Sequence, residues 1–87
     1  MANNNNIQVD IGLHYAGRVY DLRIPKMVTL RQLEGLLKEN LPVAGVDLPE
    51  KFQLEIFNKP IKVDQDVVLV NYPIGNGDQF RIIEEEG

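Results

Sequence analysis

The chain has 87 residues, a formal net charge of −4, 44% hydrophobic and 25% charged residues, and no cysteine. That length holds one core, and the composition is that of an ordinary globular domain rather than a disordered or disulfide-stapled one. Without thiols there are no disulfides, thiolate zinc ligands or cysteine nucleophiles, and the acidic balance with scattered basic residues argues against nucleic acid as a partner.

No apolar run approaches the ~20 residues that span a bilayer, and the start of the chain lacks the basic and apolar regions of a signal peptide. The expectation is a cytoplasmic protein that does not insert into the membrane. Residues 1–6, dominated by Asn3 to Asn6, read as a disordered leader, 7–84 as the domain and 85–87 as an acidic tail.

From Ile7 to Leu13 apolar residues occupy every second position, the period of a half-buried strand with its odd-numbered side chains inward. His14 to Arg18 carries Gly17 and reads as a turn, after which Tyr20, Leu22 and Ile24 share one face of a second strand. Strands so closely joined form an antiparallel hairpin, and Pro25 ends it. Thr29 and Gln32 stand as a capping box, so a helix begins at Leu30. Its stripe is Leu30, Leu33, Leu37 and Leu41, with Leu36 beside it, and Arg31, Glu34, Lys38 and Glu39 are expected to face water.

Pro42 stops the helix, and residues 43–51 read as a connection. Phe52, Leu54 and Ile56 alternate with Gln53, Glu55 and Phe57 in a third strand, followed by a turn at Asn58-Lys59-Pro60 and a short edge strand over Ile61-Lys62-Val63. Val67 to Val70 fits a one-turn helix or loop, Gly75-Asn76-Gly77-Asp78 is a turn, and Phe80 to Ile83 makes the last strand. The helix can bury its leucines only across one face of a mixed sheet whose first and last strands are parallel neighbours. The expected fold is therefore α+β, a ubiquitin-like β-grasp in ββαββ order, with a short helical turn before the last strand.

Within that frame the segment Tyr20-Asp21-Leu22-Arg23-Ile24-Pro25 running into the Thr29-Leu30 cap resembles the YukD/EsaB family, ubiquitin-like proteins of type VII (ESX-like) secretion systems in Gram-positive bacteria. The turn Ile74-Gly75-Asn76-Gly77-Asp78 is similar to an Ile-x-Asn-Gly-Asp turn in that family, and the resemblance spans Ile7 to Ile83. It implies a non-enzymatic accessory or regulatory component that binds the membrane subunit or ATPase of a secretion machine, peripheral to the inner face of the cell membrane through those partners. No cofactor is implied. The alternative is a covalent modifier or sulfur-carrier-like protein acting through Gly87, but those proteins end in paired glycines, whereas here Glu84, Glu85 and Glu86 crowd a single one.

No acid, base and nucleophile cluster in the sequence. His14 reads as an exposed hairpin histidine, Asp64, Asp66 and Asp78 as solvated turn carboxylates without a calcium-loop frame, and Tyr72 as a structural tyrosine tying the loop before the last strand to nearby backbone. Strand parity turns Glu55, Phe57, Arg81 and Ile83 onto the open sheet face. In ubiquitin-like modules that face, with the first hairpin turn, is the usual docking surface, so the resemblance implies a protein-binding set of Tyr15, Glu55, Phe57, Arg81 and Ile83, with Phe57 as anchor and Glu55 near the centre.

Overall fold

Four strands and one helix account for the regular structure of the computed structural model, which describes residues 7–85. The leader at residues 1–6, and Glu86 and Gly87 of the expected tail, lie outside the described residues. Strands β1 (Gln8–Tyr15) and β2 (Arg18–Pro25) form the expected hairpin, helix α1 covers Leu30–Asn40, and β3 (Phe52–Ile56) and β4 (Gln79–Glu84) follow. The strand order is β2-β1-β4-β3, and β1 lies parallel to β4 while both outer pairs are antiparallel. This is the β-grasp topology.

The hairpin turn is two residues long, Ala16 and Gly17, at φ of 52° and 77°. Two positive-φ residues in succession match the twist of the flanking strands, and the tight loop lets β1 run on to Tyr15. His14 and Tyr15 are therefore strand residues rather than turn residues. Thr29 caps α1 as expected: its hydroxyl accepts from the Gln32 amide, and the Gln32 side chain accepts from the Thr29 amide at 2.9 Å. Beyond α1 a 3₁₀ turn over Pro42–Ala44 closes on Gly45 in the left-handed region. A second 3₁₀ turn, Leu69–Asn71, stands where a single helical turn was expected.

The core lies between α1 and one face of the sheet. Val9, Ile11, Leu13 and Ile24 meet Leu30, Leu33 and Leu37 from the helix, Phe52, Leu54, Ile56, Phe80 and Ile82 join them from β3 and β4, and Leu41, Leu69 and Ile74 close the margins. Because the central strands β1 and β4 come from opposite ends of the domain, the core is closed by pairing residues far apart in the chain.

Two further expectations fail. Ile61–Val63 is not a strand: Pro60 offers no amide, the Ile61 amide bonds back to the Lys59 carbonyl, and the Arg31 amide holds the Gln65 carbonyl at 3.1 Å. The segment is thus drawn toward the start of α1 and away from the sheet. Glu34 does not face water: it is 8% exposed, and its carboxylate accepts from the Leu54 amide at 3.0 Å. Burial pushes its pKa up, against the opposing pull of that amide and of Arg31 and Lys38.

Candidate protein-binding site

The face of the sheet away from α1 collects the outward residues of all four strands. Pairing sets Val19 beside His14, His14 beside Arg81, and Arg81 beside Glu55, so one row crosses the whole sheet. Phe57 continues the β3 ladder, its amide donating to the Gln79 carbonyl. Its ring meets that of His14 in a perpendicular arrangement, 4.8 Å between centroids and 88° between planes, while the Arg81 guanidinium lies 5.3 Å from its centroid. Phe57 remains 40% exposed, held between an imidazole and a guanidinium.

Gly12 permits this packing. The Gln79 side chain lies across the bare glycine, its Oε1 2.6 Å from His14 Nε2 and its Nε2 donating to the Gly77 carbonyl at 2.8 Å, so a Cβ at position 12 would collide with it. His14 is accordingly half-buried and fixed, not the exposed hairpin histidine that its sequence position suggested.

Glu55, Arg81, Phe57 and Ile83 do converge on this face. Arg81 grips Glu55 through Nε at 3.1 Å and through its terminal nitrogen, and Ile83, two residues along β4 on the same face, is 40% exposed. Glu55 is thus neutralised rather than a bare charge at the centre. Tyr15 does not join them. It follows Leu13 at strand spacing, so its ring packs against the core side, where its hydroxyl donates to Glu84 Oε1 at 3.1 Å. Burial and that carboxylate raise its pKa. His14 and Gln79, which the sequence pattern alone left out of the set, pack into the same patch. The alternation of β1 continued past Leu13 would have placed His14 on the open face and Tyr15 on the other.

The carboxylates behave differently from one another. Asp66 is exposed and pairs with Arg31 at 2.8 Å, and Asp64 Oδ1 accepts the Asp66 amide in a local turn. Asp78, expected in solvent, is 5% exposed and accepts from the Gly75 amide at 2.8 Å, Asn58 Nδ2 at 3.0 Å and Lys59 Nζ at 2.9 Å. Burial alone would raise its pKa, but these donors together hold it below the ordinary carboxylate range. Tyr72 does its expected work, its hydroxyl accepting the Asp64 amide at 2.9 Å. Among the described residues no cluster of three histidines or carboxylates is placed to hold a metal, and no helix is long and apolar enough to cross a membrane.

No family model matches the chain. An uncharacterized protein of Clostridium acetobutylicum is 32% identical over 76 residues, which cover 87% of this chain and 82% of that one. The chain belongs to the same family as this clostridial protein. Its fold is shared more widely. A chain from a structure described as molecular mimicry of SUMO that promotes DNA repair superposes with a TM-score of 0.60 at 17% identity, covering 87% of this chain and 90% of that one. A protein of Arabidopsis thaliana does so with a TM-score of 0.59 at 12% identity, covering 91% and 88%. The domain has the ubiquitin-like β-grasp fold, and at these identities the likeness shows the fold alone.

Proposed function

We propose that this chain is a non-enzymatic binding module that docks on another protein through its open sheet face, as an accessory or regulatory component of a type VII (ESX-like) secretion system. The observation that carries the docking surface is Phe57: a large aromatic side chain left half in water and packed between His14 and Arg81. A pre-set aromatic loses little conformational freedom on binding, and aromatic and arginine side chains supply most of the energy at protein interfaces. Ile83 extends the apolar area, and the Arg81–Glu55 pair gives a partner a polar rim that fixes orientation.

What supports the secretion role is the likeness of Tyr20–Pro25 and Ile74–Asp78 to YukD/EsaB proteins. The partners are then the membrane subunit or the ATPase of that machine, met from the cytoplasmic side. Phe57→Asp is the test. The variant should keep the wild-type circular dichroism spectrum and unfolding midpoint, yet lose capture of both purified subunits; unchanged capture of either would exclude the patch as its contact. Failure of the wild-type protein to capture either subunit would overturn the secretion role.

A further inference from the structure

The outer edge of β3 has no strand beside it. The Phe57 amide bonds to the Gln79 carbonyl and the Glu85 amide to the Lys51 carbonyl, which sets the odd-numbered peptide groups of this strand toward β4. Alternation then turns the amides and carbonyls of Phe52, Leu54 and Ile56 outward. Folded proteins rarely leave such a row bare, because it is a template for another strand. The segment expected to cover it, Ile61–Val63, stands off, pinned by the Tyr72 hydroxyl on the Asp64 amide and by the Arg31 amide on the Gln65 carbonyl. Between the segment and β3 runs a groove of about 830 Å³, with Leu30, Leu54, Ile56, Ile61 and Val63 among its walls. The Glu34 carboxylate reaches the Leu54 amide from the helix and fills the middle outward donor.

We propose that this edge is a strand-addition site that takes an extended segment of a partner protein, apolar at alternate residues and basic between them, with Glu34 holding the place of one incoming carbonyl. Only an extended backbone matches a row of donors and acceptors at strand spacing. Its residues beside Leu54 and Ile56 face Leu30, Ile61 and Val63, while those between face the side of Glu55. Charge decides the rest. Asp64 and Lys62 both line the groove, its Asp66 and Glu55 carboxylates are already paired with Arg31 and Arg81, and the chain as a whole carries −4. A second copy would bring the same net negative charge against itself, so a basic segment is the fitting occupant. The inference rests on the reading of this domain as a protein-binding module, but it uses the backbone edge of β3 rather than the Phe57 ring, the two surfaces meeting at Glu55 and Ile83.

The probe is a seven-residue peptide alternating lysine and valine, followed by amide shifts and hydrogen exchange in the full chain. Saturable binding should slow exchange at Phe52 and Ile56, the Leu54 amide being already bonded to Glu34, and one of the two alternately N-methylated peptides should bind at least about tenfold weaker while the other does not, since only one peptide edge meets β3. Glu34→Ala should bind several-fold tighter, with Glu34→Gln as the variant that keeps an acceptor should the first not fold. Phe57→Asp should bind like the wild type, which separates this site from the open face. Equal binding by both methylated peptides, a preference for a glutamate–valine peptide, loss of binding in Phe57→Asp, or concentration-dependent self-association that protects the same amides without peptide would each overturn the proposal.

Discussion

Asp78 carries more of the structure than its place in a polar turn suggests. One buried carboxylate receives the Gly75 amide, the Asn58 amide group and the Lys59 ammonium, while Asn58 also accepts from the Gln79 amide. The turn it organises is bonded to β1 through the Gly12 amide on the Asp78 carbonyl and the Gly77 amide on the Asp10 carbonyl. Asp78→Asn should cost about 2 kcal/mol in urea unfolding, because at least one buried donor loses its acceptor. Its pH signature follows from the direction of the shift. A carboxylate held below its ordinary value of 3.8 contributes stability that is present above that value and is lost as the pH falls through the folded pKa. The wild type should therefore lose stability on that acid limb more steeply than Asp78→Asn.

Between elements, the join of α1 to β3 depends on Glu34, whose role polarity concealed. Leu30, Glu34, Leu37 and Leu41 fall at helical spacings of four, three and four, so position 34 belongs to the buried stripe. The residue type argued for water and the spacing for the core, and the free Leu54 amide of an edge strand decided the matter. Because the folded pKa is raised above 4.5, the contribution of Glu34 is fully present below that value and is lost as the pH rises through the folded pKa. Glu34→Gln keeps an acceptor for Leu54 without burying a charge. Its stability relative to the wild type should be greater at pH 7 than at pH 4, and urea unfolding at both values checks this. Other features were legible for local reasons: the Thr29–Gln32 cap is set within one turn, and β3 announces its faces by strict alternation. Ile61–Val63 alternates too, but three residues are too few to hold a ladder against the tertiary bonds that pull Asp64 and Gln65 toward Tyr72 and Arg31.

At the scale of the molecule, β1 and β4 form the middle of the sheet, and Phe80 is wholly buried between α1 and the strands. Phe80→Ala should cost about 3–5 kcal/mol. For a chain of this size total stability is of order 4–13 kcal/mol, so thermal unfolding should show a large drop in midpoint or a chain already partly unfolded at room temperature. The fold could be read from the sequence because its order of elements leaves the helix one sheet face to cover. The site could be read only in part, since Phe57, Arg81, Glu55 and Ile83 follow from strand parity, whereas the places of His14 and Tyr15 depend on where a two-residue turn begins.

The parallel pairing of β1 with β4 also governs how the domain bears load. The two strands lie side by side in the same direction, so the start of one and the finish of the other sit at opposite ends of the sheet. Tension applied across the two flanks shears their shared ladder, straining its bonds together instead of unzipping them in turn. A machine that tugged on this domain from both sides would meet a mechanical clasp, whereas the β1–β2 hairpin peeled from its open end would give way rung by rung.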